Sequence, residues 1–131
     1  MRKRILPLLA AVVAVCGVAA CGKAGWKRVA ISDQYSAAYG FAERPKLGMS
    51  TLKVSVFDKA GEKTSDVEVL ASYDMPSMRG HHAYGPAPMA KSKGGDYLLP
   101  VQFVMRGDWE IVLTFRHEGQ DIHTETISLD L

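Results

Sequence analysis

The alternation of apolar and polar residues between positions 51 and 116 is the feature that most constrains the fold of this chain. In the first stretch, Leu52, Val54 and Val56 alternate with polar residues, and three later stretches repeat the pattern. A period of two residues places the apolar side chains of a strand on one face of a sheet. The apolar positions of the later stretches are Val67, Val69, Ala71, Tyr73, Tyr97, Leu99, Val101, Phe103, Trp109, Ile111, Leu113 and Phe115. The sequence therefore predicts four strands, each with one buried face.

Turn sequences separate these stretches, and no stretch beyond the N-terminal segment carries a helical stripe. Segments 58–62, 106–108 and 118–121 each combine Gly with charged residues that favour turns. A final strand over 122–129 changes the parity of its apolar residues, which a bulge would explain. Pro100 indicates an edge strand or a bulge in the third stretch. Short strands joined by turns predict an all-β fold, an antiparallel immunoglobulin-like β-sandwich of five to seven strands.

Residues 1–20 have the composition of an export signal. Arg2, Lys3 and Arg4 precede an apolar stretch over 5–15, and small residues follow it. Basic, apolar and small residues in this order are typical of a secretory signal. The apolar stretch is short for a bilayer span, which needs about 20 residues. We therefore predict that residues 1–20 are a signal peptide, which takes no part in the fold.

The end of this segment, Val18-Ala19-Ala20-Cys21, resembles the lipobox of bacterial lipoproteins. The resemblance implies that residues 1–20 are a lipoprotein signal peptide and that Cys21 becomes the first residue of the mature protein. Its sulfur would carry diacylglycerol and its amino group a further acyl chain such as palmitate. Two or more chains hold a protein stably on a membrane. The expected location is the bacterial cell envelope, facing the periplasm or the exterior; the alternative is an ordinary signal, cleaved or uncleaved.

The remaining chain is predicted to contain a tether and one domain. Residues 21–46 mix small, charged and aromatic residues without a sustained period, so we expect a lipid-anchored tether that is partly ordered. Within it, residues 26–32 are compatible with a short strand. Residues 47–131 form the predicted β-sandwich domain. The chain has 2 Cys, Cys16 and Cys21, so this domain must depend on its apolar core rather than on a disulfide.

Charge and motifs exclude several function classes. A net charge of +2 does not suggest a nucleic-acid-binding protein. The sequence contains no Gly-x-Ser-x-Gly, no glycine-rich phosphate loop and no His-Glu-x-x-His. A hydrolase built on Ser72 or Ser77 with His81 lacks any residue pattern that would orient the base. We therefore expect a protein that is not an enzyme.

The densest cluster of chemically distinctive residues lies at positions 74–95. Met75, Met78, His81, His82 and Met89 fall in or beside a predicted loop of about twenty residues, and loops of this length are often functional. Thioether and imidazole are ligands that select Cu(I), and imidazole also suits Cu(II) and Zn. The sequence thus offers these five residues as candidate copper ligands.

Structural roles compete with this interpretation. Met75 continues the inward parity of the second strand, and Met105 continues that of the third, so both are expected in the core. Adjacent histidines in a loop are also compatible with a solvated surface. His117 and His123 flank the last hairpin and are expected at the surface.

Three short motifs in order resemble the YtkA-like domain family, which is related to the FixH proteins. They are Met75-Pro76-Ser77-Met78 at the end of a strand, Gly95-Asp96-Tyr97 at the start of the next, and Gly107-Asp108-Trp109 leading into an apolar strand. The resemblance extends from about position 51 to the last residue. It implies a small β-sandwich that is exported or attached to a membrane.

The same resemblance implies a role near metals. FixH proteins are associated with the assembly of copper-dependent oxidases and with cation transport, and related domains occur beside metal-efflux components. FixH proteins carry a transmembrane helix, which a lipid on Cys21 would replace here. The leading prediction is an envelope lipoprotein that binds or transfers copper to a partner in oxidase assembly or metal efflux. The alternative is a non-catalytic interaction or scaffold module of an envelope complex.

Overall fold

The computed structural model describes residues 25–131, which form two antiparallel sheets packed face to face. The elements are β1 (Lys27–Ala30), β2 (Tyr35–Phe41), β3 (Gly48–Asp58), β4 (Val67–Asp74), a 3-10 turn (Pro76–Met78), β5 (Tyr84–Pro88), β6 (Ala90–Lys91), β7 (Tyr97–Phe103), β8 (Asp108–His117) and β9 (Gln120–Asp130). The first sheet has the order β1-β2-β3-β7-β6, and the second has the order β5-β4-β8-β9. The predicted all-β antiparallel sandwich is confirmed.

The core lies between the sheets and consists mainly of the alternating residues of β3, β4, β7 and β8. The largest side chains that are almost fully buried include Trp109, Tyr97, Phe103 and Phe115. Trp109 packs edge-on against Phe103, with ring centroids 5.3 Å apart. Each such side chain contributes roughly 1.5–3 kcal/mol through burial. The four predicted strands therefore supply most of the core.

The prediction of a tether over 21–46 is wrong for residues 27–41, which form β1 and β2 in the first sheet. The strand expected within 26–32 is confirmed as β1. The segment lacks alternation because β2 is covered on both faces, and it uses small residues such as Ala37 and Ala38. At Gly40, a Cβ atom would lie 3.2 Å from Cγ of Trp26, so the close approach of the residue just before β1 favours glycine. The domain therefore begins before residue 47.

The predicted loop over 76–95 also contains regular structure. After the 3-10 turn, β5 pairs with β4 at the edge of the second sheet, and β6 pairs with β7 at the edge of the first. Pro86 and Pro88 lie in β5 and obscure the strand pattern, but prolines are tolerated at a sheet edge. These short strands raise the number within residues 25–131 to nine, above the five to seven expected.

Two irregularities expected from the sequence are present. The β8–β9 register shifts between Phe115 and Arg116, and Ile122 is the residue left without a partner in this register. This bulge reconciles the change of parity in β9. Pro100 lies beyond the short stretch where β6 covers β7, so it occupies an edge position.

One end of the sandwich collects several chain segments, and we call it the N-terminal end. Pairing of Gly48 with Phe103 places the start of β3 and the end of β7 there. Lys27 is level with the middle of β3, and the residues that precede it lead towards this end. The connections 42–47 and 104–107 lie at this end. The second sheet contributes the end of β4, the start of β8 and the end of β9. The 3-10 turn follows β4, so the Met- and His-rich segment also lies at this end.

Candidate functional site

Residues 75–82 fold into successive tight turns directly after β4, and we call this segment the Met/His loop. The N–H of Met78 donates to the carbonyl of Met75 at 2.9 Å, and the N–H of His81 donates to the carbonyl of Met78 at 3.1 Å. These bonds compact the chain, so Met75, Met78, His81 and His82 belong to one folded turn region at the N-terminal end.

Carboxylates from β4 and β8 fix the Met/His loop. Asp74 accepts hydrogen bonds from the N–H groups of Met75, at 2.8 Å, and Gly80, at 3.0 Å. Asp108 accepts from the N–H of Ser77 at 3.1 Å and also from its hydroxyl. The hydrogen bond from Gly80 is the main reason that the pKa of Asp74 lies below its ordinary value. The loop is therefore held in one conformation by groups that are not themselves candidate ligands.

An ion pair secures the far side of the same loop. The guanidinium of Arg79 lies 3.1 Å from Oε1 of Glu110 on β8, and both terminal nitrogens donate to that oxygen. Arg79 is largely exposed, so this pair adds little to stability. Its main effect is to orient the loop over the end of the second sheet, where β4 ends and β8 begins.

The side chains of the Met/His loop differ in their access to solvent. Met75 is 1% exposed, and its Cε lies 3.0 Å from the position that a Cβ atom on Gly107 would occupy. Met78 is half-buried and packs against the core, whereas His81 is exposed. His82 is half-buried, with its ring centroid 6.2 Å from that of Trp109. Met75 thus forms the floor of the loop, as its parity predicts, and the other three are accessible.

Met89 lies apart from the other candidate ligands. Its N–H donates to the carbonyl of Val69 at 2.9 Å, and its side chain is 7% exposed within the core. Val69 precedes Met75 by six positions along an extended strand, which corresponds to about 20 Å. Because Met89 is a core residue at this distance, the prediction that it shares a metal with the Met/His loop is not supported by its position.

The four histidines fall into two groups by their hydrogen bonding. Nδ1 of His117 lies 3.1 Å from the carbonyl oxygen of Asp66, and Nε2 of His123 lies 3.1 Å from Oε1 of Glu125. By contrast, His81 and His82 take part in none of the side-chain hydrogen bonds found within residues 25–131. Their ring nitrogens are therefore available to a ligand, whereas those of His117 and His123 already serve the fold.

Met105 is a further thioether at this end, and its sequence-based assignment to the core is wrong. Its side chain is 37% exposed, because β7 ends at Phe103 and the chain turns away from the core. Its carbonyl oxygen accepts a 3.1 Å hydrogen bond from Nε1 of Trp109, the residue that also neighbours His82. The parity of β7 gives no sign of this exposure, but the turn residue Gly107 two positions later does.

Two features are absent from the part of the chain that the structure describes. Within 25–131, no three His, Cys, Asp or Glu side chains converge as a metal site of those residue types would require. No helix in that part of the chain is long and apolar enough to cross a bilayer. Cys21, the predicted lipidation site, lies outside the described residues.

Comparison with known protein families gives a match. A family model described as YtkA-like matches residues 30–114, a range that extends from the end of β1 into β8. The match begins earlier than the resemblance seen in the sequence, in agreement with the placement of β2 in the sandwich. Neither curated proteins nor solved structures give a significant match.

Proposed function

This chain belongs to the YtkA-like family, and we propose that it is a lipid-anchored envelope protein that binds copper at the Met/His loop and transfers it to a partner. Met78, His81 and His82 would be the ligands, with Met75 as the floor of the site. Thioether sulfur and imidazole nitrogen together favour Cu(I). The proposal therefore uses sulfur as well as nitrogen donors.

One observation carries this proposal: the loop presents two imidazoles without side-chain hydrogen-bond partners among residues 25–131, beside a half-buried thioether. A structural histidine normally satisfies its ring nitrogens, as His117 and His123 do. The conformation of the loop is fixed from outside the ligand set by Asp74 and Asp108. A loop fixed in this way reduces the ordering that metal binding requires.

Transfer would proceed by ligand exchange. His81 is exposed, so a donor group of a partner protein could reach the ion from the solvent side. Met75, being buried, would stay with the domain throughout. No bond to carbon forms or breaks in this process, which is consistent with the expectation that the protein is not an enzyme.

Titration with Cu(I) under a competing chelator, and with Cu(II), tests the binding step. Wild-type protein should bind Cu(I) with a Kd below micromolar, and combined M78A, H81A and H82A substitutions should abolish binding. The matched control is H117A with H123A, which removes two histidines that serve the fold. Met89→Leu should also leave affinity unchanged. Binding weaker than micromolar, or equal in wild type and the triple variant, refutes the copper proposal.

The lipid anchor has a separate test. A clickable fatty acid fed to cells should label the wild-type protein, and Cys21→Ser should abolish the label. Cys16→Ser is the matched control, since Cys16 would leave with the signal peptide. Labelling that survives in Cys21→Ser removes the anchor from the proposal without affecting the copper site.

A second candidate function is a protein-interaction module of an envelope complex. The observation in its favour is that hydrogen bonds from Asp74 and Asp108 already fix the loop, so a partner could recognise it without metal. Half-exposed methionines make adaptable apolar contacts in such interfaces. Capture of a partner from detergent-solubilised envelopes, with and without chelator, separates the two functions. A partner retained in chelator but lost in the triple variant favours the interaction module.

A further inference from the structure

Exposed apolar side chains concentrate at the N-terminal end of the sandwich. Leu47 is 45% exposed, Met49 58%, Val104 53% and Met105 37%. Gly48 pairs with Phe103, so continuing this register by one residue brings Leu47 opposite Val104, and Met49 pairs with Gln102 beside them. Leu47, Met49 and Val104 therefore form one continuous apolar patch on the outer face at the end of the first sheet, and Met105 is exposed next to it in the chain.

The described chain begins level with the middle of β3, and its preceding residues lead towards the N-terminal end. Lys27 pairs with Tyr39, which in turn pairs with Val54. Continued back to Gly25, this register leaves about 13 Å to the start of β3 and about 20 Å to its end. Cys21 precedes Gly25 by four residues, which span at most about 15 Å. A lipid on Cys21 would thus hold this end of the sandwich, rather than the opposite one, next to the membrane surface.

The charges around the apolar patch are mixed, with a small excess of cations. Arg44, Lys46 and Arg106 line an open depression of about 560 Å³ together with Asp130 and the apolar Leu47 and Leu131. The exposed carboxylate of Glu43 lies in the same connection. With three cations and two carboxylates, this surface attracts anionic lipid headgroups only weakly. Docking on a membrane must therefore depend mainly on apolar contacts with the lipid.

From these observations we infer that the N-terminal end of the sandwich docks on a phospholipid bilayer through Leu47, Met49 and Val104, with basic side chains among the headgroups. The inference rests on the lipid anchor of the proposed function. The short connection to Cys21 keeps the apolar patch at high local concentration beside the bilayer, so that even weak contacts are occupied. The Met/His loop lies at the same end, so copper would be exchanged at the membrane surface.

Fluorophores placed at the two ends of β3 test this orientation. Met49→Cys marks the N-terminal end, and Lys59→Cys, just after β3, marks the opposite end about 33 Å away. The full chain is purified from membranes, labelled and reconstituted into vesicles of phosphatidylethanolamine and phosphatidylglycerol. Wild-type protein is the labelling blank, because a lipidated chain has no free thiol. A nitroxide near the lipid headgroup should quench the label at position 49 several-fold more than the label at position 59.

Variants then assign docking to the apolar patch. Leu47→Ser with Val104→Ser should reduce quenching of the label at position 49 at least threefold. Leu98→Ser is the matched control, since Leu98 is half-exposed on the outer face of the same sheet but far from this end. Equal quenching at positions 49 and 59, or no effect of the double variant, overturns the docking inference while leaving the anchor intact. A wild-type blank that takes up label, or protein that fails to float with the vesicles, identifies failure of the anchor instead.

Discussion

The hydroxyl of Tyr39 on β2 donates a 2.8 Å hydrogen bond to Oε2 of Glu125 on β9, and so links the two sheets. Oε1 of the same carboxylate lies 3.1 Å from Nε2 of His123. Burial and the hydrogen bond to Glu125 raise the pKa of Tyr39 to about 12. Burial also raises the pKa of Glu125, but the contacts with Tyr39 and His123 outweigh it, and the pKa lies below its ordinary value.

Removing this link should destabilise the protein. Tyr39→Phe deletes the hydroxyl and leaves a half-buried carboxylate with one fewer donor, so unfolding free energy should fall by about 1–2 kcal/mol. Chemical denaturation measures the change. The matched control is Tyr35→Phe on the same strand, since the Tyr35 hydroxyl makes no side-chain hydrogen bond within residues 25–131. Equal losses in both variants contradict the assignment of stability to the link.

The same link predicts a pH dependence. The folded-state pKa of Glu125 is lower than its unfolded value, so its contribution is complete above the unfolded value and disappears as pH falls through the folded value. The folded-state pKa of Tyr39 is higher than its unfolded value, so its contribution is lost as pH rises from 10 towards about 12. Wild type should therefore lose more stability than Tyr39→Phe between pH 10 and 12. Parallel profiles argue against the coupling.

A second polar network involves Asp96, which is buried on the outer side of the first sheet. Its carboxylate accepts a 2.5 Å hydrogen bond from Ser55 and pairs with Lys53 at 3.0 Å and Lys63 at 2.8 Å. Burial raises the pKa of Asp96, but these three partners outweigh it and lower the pKa to about 2.

Asp96→Asn should reduce unfolding free energy by about 1–3 kcal/mol at neutral pH, because Lys53 and Lys63 lose their common partner. In wild type, this contribution is complete above the ordinary pKa of 3.8 and is lost as pH falls towards about 2. The variant should lack this acid dependence. Asp121→Asn is the control, since the Arg116–Asp121 pair is largely exposed to solvent and should contribute little to stability. An Asp96→Asn variant whose stability falls with acid as steeply as that of wild type would falsify this account.

Gly85 should be intolerant of a side chain. Its φ is +76°, and a Cβ atom there would overlap the carbonyl oxygen of Ala71 on β4. Gly85→Ala therefore requires β5 to move away from β4. Gly61 has a similar φ of +82°, but a Cβ atom there would meet no atom within 4 Å. Gly61→Ala therefore measures only the cost of a positive φ for a residue with a side chain, about 1–2 kcal/mol. The Gly85 variant should lose clearly more, and hydrogen exchange in β5 should rise only in that variant.

Trp109 should report occupancy of the proposed copper site. Its ring centroid is 6.2 Å from that of His82, so Cu(II) bound at His82 should quench its fluorescence. Trp26→Phe removes the other tryptophan and gives a clean background. In that background, H82A should abolish quenching, whereas H123A should not. Quenching of equal size in both variants would place the copper elsewhere.

The sequence predicts strands well where one face is buried and the other is exposed. It fails for a strand that is covered on both faces and for an edge strand that contains prolines. Leu52 and Val54 alternate with polar residues because β3 has one apolar face, and this alternation is visible in the sequence. Ala38 on β2 is buried on the outer face beneath neighbouring side chains, so no alternation remains. In β5, Pro86 and Pro88 suggest a loop, although an edge strand accommodates them. The missed strand β2 also explains why the sequence predicts the domain boundary at residue 47, after this strand.

For the candidate site, the sequence predicts residue types but not their separation. Met75 and Met89 are both apolar and both buried, yet strand register places them about 20 Å apart. That distance depends on the pairing of β5 with β4, which local sequence does not specify. Met105 is predicted to be buried but is exposed, because the inward parity continues in the sequence after β7 has ended at Phe103. Only the tertiary structure decides which thioethers can share an ion.

The connection between β4 and β7 supplies an edge strand to each sheet: β5 to the second and β6 to the first. Unpaired strand edges are templates for association with other chains. The segment that follows the Met/His loop keeps the backbone of β4 paired from Leu70 to Tyr73 and so removes one such template, whereas β6 covers only the first two residues of β7.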